Sequence, residues 1–301
     1  MKPIHWISLI ILATISGSSF IFTRALAPVL GAIGTADLRL LLAGLSLVVY
    51  AALVRFDLQW RQNFGLYLSI GIINSGLPFL FYSFAALELP AAYLAIINAS
   101  SPLFGALFSA IWLGDKLTSN KLVGLIMGMV GVGFVSYNGA VEGGLSAAVL
   151  LSIGACVAAA ACYALSGVFI KKKAKHLKPL ALAACSQLAA GVLIAPLMSI
   201  DVPPGPFTWT AVLQLLALAL VCSAVAYLIY FRLMAEIGPT RTLTVTFLSP
   251  VAAMVVARIF LGESINTQMI AGMVIIIAAT MVVNRSATPS VAQGVAPVRT
   301  S

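Results

Sequence analysis

The chain has 301 residues, of which 61% are hydrophobic and 8% charged, with a formal net charge of +9. A soluble domain carries roughly a quarter charged residues, so this chain cannot cover a water-facing surface and is expected to lie in a lipid bilayer. Its positive charge falls between apolar runs rather than on a solvated face, which excludes nucleic acid as the partner.

Roughly 20 residues of helix cross the ~30 Å hydrocarbon core. Ten apolar runs of about that length follow one another, at 4–23, 37–54, 64–84, 91–113, 120–138, 147–170, 179–199, 209–231, 241–261 and 266–284. They are too long and too continuously apolar for the alternating strands of a barrel. The expected fold is therefore all-α integral membrane with ten transmembrane helices.

The first run opens MKPIHWISLIILATISGSS, with the Lys2, apolar core and small residues of a signal peptide. It continues through Phe20, Ile21 and Phe22, so it reads as a first span that doubles as a signal anchor, with Ser18 inside it. The second span carries Arg39 one turn in. Such a charge costs roughly 2.5–3.5 kcal/mol if it reaches the bilayer centre. Arg39 attracts a carboxylate or phosphate, gates the outer mouth, or snorkels to the interface; Asp37 is too near in sequence to face it.

The third span holds Asn74, Ser75, Pro78 and Tyr82, and the eighth holds Ser223, Tyr227 and Tyr230. Tyrosine suits an amphipathic solute and the interface belt equally, and both readings stand for Tyr82 and Tyr230. The fourth span contains Asn98, Ser101 and Pro102; the ninth contains Thr246, Ser249 and Pro250. Proline frees the carbonyl four residues back, here that of Asn98 or Thr246. Freed carbonyls are tolerated in a membrane where they face protein or a watery cavity. The fifth span includes GLIMGMVGVG, whose Gly124–Gly128 spacing reads as close helix packing. The sixth places Tyr163 three residues before Ser166 on one face. Residues 285–301 have no helical period and read as a disordered cytoplasmic tail.

Cys156, Cys162, Cys185 and Cys222 all fall within spans without metal-ligand spacing, so no metal or cofactor is expected. With the N-terminus inside, Lys2, Arg55, Arg61, Lys116, Lys121, the KKKAKHLK loop at 171–178, Arg232, Arg241, Arg285 and Arg299 lie on the inner side. Only Arg24 and Arg258 lie outside, an asymmetry that puts both termini in the cytoplasm of an inner membrane. The 171–178 loop then faces anionic lipid.

The chain repeats itself at an offset of 148 residues. SPLFGALFSAIWLGDKL at 101–117 returns as SPVAAMVVARIFLGESI at 249–265. Ser18 falls on Ser166, Ser75 on Ser223, Tyr82 on Tyr230, Glu88 on Glu236, Gly124 on Gly272, and Asp115 on Glu263. Two halves of five spans each follow, 4–138 and 147–284, and an odd number of spans turns the second half upside down. Inverted repeats are the build of many secondary transporters, with the substrate site at the repeat interface near mid-membrane.

LPAAYLAIINASSPLFGALFSAIWLGDKL and its echo IGPTRTLTVTFLSPVAAMVVARIFLGESI resemble the last helices of an EamA repeat, and GSSFIFTRAL with ADLRLLLAGL resembles the first two. The resemblance covers about residues 5–284 and implies the drug/metabolite transporter superfamily, with a small-molecule substrate that is amino-acid-like or amphipathic. The chain departs from it at Asp115, where glutamate is usual, and at GSS 17–19. The EamA pattern also has an arginine where Arg39 stands, while the matching residue of the second half is Gln187.

The reading is a permease working by alternating access, its cavity lined by the polar faces of spans 1, 3, 4, 6, 8 and 9. The candidate substrate-binding residues are Ser18, Arg39, Asn74, Pro78, Tyr82, Asn98, Ser101, Pro102, Tyr163, Ser166, Tyr227, Tyr230, Thr246, Ser249 and Pro250. No P-loop provides an ATP-driven engine, and no carboxylate lies mid-span for a proton relay. The rivals are a pore or lipid translocator without alternating access, and a membrane-embedded enzyme. The enzyme would need a cluster that His5 and His176, the only histidines, do not supply.

Overall fold

The computed structural model of the chain describes residues 3–139, 146–200, 204–237, 242 and 245–285. The tail expected after Arg285 and the start of the ninth span lie outside these residues. Among the described residues there is no strand. Six helices are long and apolar enough to cross a membrane: Pro3–Leu53, Trp60–Ala85, Ala91–Leu113, Ala147–Lys173, Pro179–Ser199 and Trp209–Tyr230. Ser119–Val135, Val245–Phe260 and Thr267–Val283 are shorter apolar helices.

The first of these helices differs most from the sequence reading. At 51 residues a straight helix would run about 76 Å, more than twice the hydrocarbon core. Gly31, at φ 72° and ψ 168°, breaks it into two arms that correspond to the first and second spans. The expected connector at 24–36 is thus helical apart from that residue. Its alanines and leucines favour helix, and one glycine is enough to turn the chain because only glycine takes this conformation without steric cost.

The halves share their backbone irregularities. The third span passes through a π-helical stretch at Ile72–Gly76 and the eighth through one at Ala217–Val225, which overlap under the 148-residue shift. A π-stretch rotates the side chains beyond it and is frequent at functional sites; here Ser75 and Ser223 sit within the two stretches. Gly114 and Gly262, likewise matched, both have positive φ, 74° and 66°. The Ser-Pro segments are less alike. The fourth span stops at Asn98 and restarts at Ser101, whereas Pro250 sits inside the helix Val245–Phe260.

Equivalent spans pack antiparallel across the middle of the molecule. In the fifth and tenth, Gly124 meets Ala279 and Val283, Gly131 meets Ile276, and Gly272 meets Val135. A Cβ on Gly124 would lie 2.8 Å from the Ala279 carbonyl oxygen, so glycine sets the approach of the backbones. In the second and seventh, Gly44 meets Leu188 and Gly191 meets Leu41. Segments that match in sequence therefore run in opposite directions, the geometry of an inverted repeat. Ile111, Leu151, Ile259 and Phe260 stand exposed around the outside, where only lipid suits them.

Candidate functional site

A cavity of about 590 Å³ opens where the two halves meet. Its wall includes Ser16, Ser19 and Phe20 of the first span, Arg39 of the second, Asn74 and Phe79 of the third, and Asn98 of the fourth. Tyr163 and Gly167 come from the sixth span, Ser186 from the seventh, Ser223, Tyr227 and Tyr230 from the eighth, and Ser249 from the ninth. The lining continues along Ile170 and Ala174 to Lys175, Leu177 and Pro179, the connector after the sixth span, where Lys175 is exposed. The cavity therefore reaches the surface on the side of the 171–178 loop.

Arg39 lies about 21 Å of helix from Leu53, the arm's end on the loop side. Its Nε donates to Ser223 Oγ at 3.0 Å, and its guanidinium carbon stands 3.8 Å over the Phe79 ring. That geometry holds the side chain from both sides and leaves its terminal nitrogens without a hydrogen bond among the described residues. Asn74 Nδ2 donates to Tyr227 Oη at 3.4 Å. Tyr82 Oη donates to Asn98 Oδ1 at 2.8 Å, and Tyr82 stacks on Tyr163 with ring centroids 6.2 Å apart. Tyr82 is buried, away from an interface belt. The Asn98 carbonyl next to the Pro102 break accepts from Ser101 Oγ at 2.7 Å.

Of the residues singled out from sequence, Arg39, Asn74, Asn98, Tyr163, Tyr227, Tyr230 and Ser249 line this cavity. Tyr82 and Ser101 stand one layer behind, bonded to Asn98. Ser18, Pro78, Pro102, Ser166, Thr246 and Pro250 are not in the lining. Ser18 turns its hydroxyl to the Thr14 carbonyl at 2.7 Å, and Ser166 is fully buried with its hydroxyl unbonded. The lining also draws on the seventh span, which the sequence reading left out, while the second span contributes the expected Arg39. Ser16, Ser19, Phe79, Ser186 and Lys175 were missed; in an apolar helix nothing in the pattern marks which serine faces inward.

At the opposite end hydrogen bonds tie the two halves together. The Glu263 carboxylate accepts from Ala91 N at 2.7 Å and Ala92 N at 3.1 Å. It thereby caps the helix that starts the fourth span, where the unsatisfied N–H groups and the helix dipole favour negative charge. Arg258 Nη1 donates to the Glu263 backbone carbonyl at 3.4 Å. Arg24 donates to the Ala86 carbonyl nearby, and Phe20 meets Tyr82 edge-on beneath. On the other side Glu236 pairs with Arg232 at 2.8 Å and His5 at 3.5 Å. Among the described residues no group of histidine, cysteine and acid could hold a metal ion.

A model of the EamA-like transporter family matches residues 4–137 and 150–285. The chain is 28% identical over 267 residues to the transporter YvbV of Bacillus subtilis, covering 87% of this chain and 85% of that one. It is 28% identical over 284 residues to RhtA of Escherichia coli K12, named a threonine/homoserine exporter, covering 92% and 90%. It is 25% identical to the protein PecM of Dickeya dadantii, covering 89% and 88%. A solved crystal structure at 18% identity superposes with a TM-score of 0.63 over 94% of this chain and 96% of the other, which shows the fold.

Proposed function

Because the chain belongs to the EamA-like transporter family, a family of multi-pass membrane permeases, we propose that it carries a small organic metabolite, amino-acid-like or amphipathic, by alternating access. One observation carries the reading: the cavity between the inverted halves reaches the surface at Lys175, while at the other end the Glu263 carboxylate hydrogen-bonds Ala91 and Ala92 across the halves. A through-pore would need both ends open. Inverted repeats supply the second state by exchanging the roles of the two halves.

In this reading Arg39, Asn74, Asn98, Tyr163, Tyr227, Tyr230 and Ser249 contact the solute. Tyr82, Ser101 and Pro102 hold Asn98 in place, and the matching Thr246 and Pro250, with Ser18, Pro78 and Ser166, shape the helices around them. Both termini and the 171–178 loop lie on the cytoplasmic side, by the distribution of lysine and arginine. The open end is then cytoplasmic, as loading for export requires. The units that rock are the repeats 4–138 and 147–284.

The test is counterflow. Liposomes holding the protein and loaded with an unlabelled amino acid, threonine and homoserine first because of the RhtA similarity, should accumulate labelled external solute transiently and saturably. A flux that never saturates would favour the pore, and no flux of any amino acid or amphipathic metabolite would remove the carrier reading.

A further inference from the structure

The cavity is chemically one-sided. Among the described residues its lining contains two cationic side chains, Arg39 deep inside and Lys175 at the mouth, and no aspartate or glutamate. The nearest acid in sequence, Asp37, is fully buried and absent from the lining, and Arg39 is not paired with it. Arg39 is pre-positioned by Ser223 and Phe79, with its two terminal nitrogens free of protein hydrogen bonds among the described residues. A guanidinium presented this way offers two parallel donors, the match for a carboxylate. Arg39 is half-buried in the cavity wall, and an intramembrane charge placed so marks a ligand site.

The inverted repeat sharpens the point. The residue matching Arg39 in the second half is Gln187, which is buried and donates to the Ala183 carbonyl. The cavity therefore has one anion-binding point at its floor rather than a symmetric pair, which suits one anionic group and not a dianion. Between the serines and asparagines of the wall stand Leu12, Phe20, Phe79, Tyr163 and Tyr227, surfaces for an apolar or aromatic body. An ammonium placed beside the carboxylate would face Arg39 with no acidic side chain to receive it.

We infer that the cavity selects an amphipathic monocarboxylate, a solute with one anionic end and an apolar body and without a neighbouring ammonium, and that Arg39 and Lys175 set this preference. The inference rests on the carrier reading and narrows its substrate class. Lys175 raises the local concentration of the anion at the mouth, and Arg39 binds it.

Equilibrium dialysis of the protein in lipid nanodiscs against labelled hydrocinnamate, phenylalanine and phenethylamine tests it, since the three share a phenylethyl body and carry a carboxylate, a carboxylate with an ammonium, and an ammonium respectively. Hydrocinnamate should bind at least about tenfold tighter than phenylalanine, with phenethylamine weakest. Arg39→Gln, which copies the second half, should abolish the difference, and Arg39→Lys should restore part of it. Lys175→Glu, at an exposed position, should weaken hydrocinnamate several-fold at low salt and less at high salt. Phenylalanine binding as tightly as hydrocinnamate, or an Arg39→Gln protein with an unchanged ratio, overturns the inference. Saturable amino-acid counterflow without hydrocinnamate binding overturns it while leaving the carrier intact. Failure of all counterflow removes the carrier reading itself.

Discussion

The segments 101–114 and 249–262 both begin on Ser-Pro and both end on a glycine of positive φ, yet the acids that follow do different things. Glu263 crosses to the fourth span and accepts two backbone hydrogen bonds. Asp115, at the matching position, is exposed and its carboxylate has no partner among the described residues. The helix contacts differ in the same sense. Gly17 of the first span is pressed against Ser249 and Ala253 of the ninth, while Gly105, the match of Ala253, has open space around it. One sequence pattern therefore occupies two states at once in a single molecule. Its engaged copy lies at the Glu263 end and its disengaged copy at the Lys175 end, an asymmetry that the alternating-access proposal requires.

The largest effect should come from filling the tight contact. A Cβ on Gly17 would lie 2.7 Å from both Ala253 N and Ser249 O, and backbone atoms cannot yield. Gly17→Leu should therefore cost about 3 kcal/mol, read as a fall in the thermal midpoint of the purified protein. Gly105→Ala should instead be tolerated or stabilise by up to about 1 kcal/mol, because helix propensity rises and nothing is displaced. Equal damage from both would erase the asymmetry.

Next in size is the Glu263 clasp. Glu263→Gln keeps the shape and removes the charge, which should cost about 2 kcal/mol of closure. In a protein whose four native cysteines are replaced by alanine, with one cysteine placed at Phe20, an impermeant thiol reagent added from the Glu263 side should then label faster. An unchanged rate would remove Glu263 from the seal. Tyr82→Phe deletes the bond to Asn98, a loss of about 1 kcal/mol visible in the thermal midpoint.

Asp115→Asn should be smallest, within about 0.5 kcal/mol in this state, and the same thermal measurement checks it. Even in the exchanged state its effect should stay below that of Glu263→Gln. Aspartate is one methylene shorter, and the positions matching Ala91 and Ala92 are Pro239 and Thr240, of which proline has no N–H to donate. A large loss for Asp115→Asn would mean that the latches are equal.

Much of this molecule was legible before any coordinates. Continuous apolar runs near 20 residues can only be membrane helices, since lipid offers no partner to an unsatisfied backbone. Ser75 and Ser223, Gly114 and Gly262, or Pro102 and Pro250 are rare enough among Leu, Val and Ala for their common offset to reveal the duplication. Arg39, Tyr163 and Asn98 stood out as polar groups that a bilayer would not tolerate at random. What could not be read was direction around each helix. A helix that is apolar on every side has no amphipathic period, so Ser16 and Ser19 could not be told from Ser18. Lys175 read as one more loop lysine.

The amino-acid sequence by itself determined that the chain is an all-helical membrane protein of two repeats with a polar, duplicated centre, because those features follow from composition and spacing alone. The tertiary structure alone decided which end of the cavity is open, that Glu263 caps a helix in the other half, and that Arg39 leans on Ser223 with its donors free. The physical reason is that lipid and protein interior are almost equally apolar to a helix. Burial energy can place a helix in the membrane, but only packing across the two halves can choose its neighbours and its facing side.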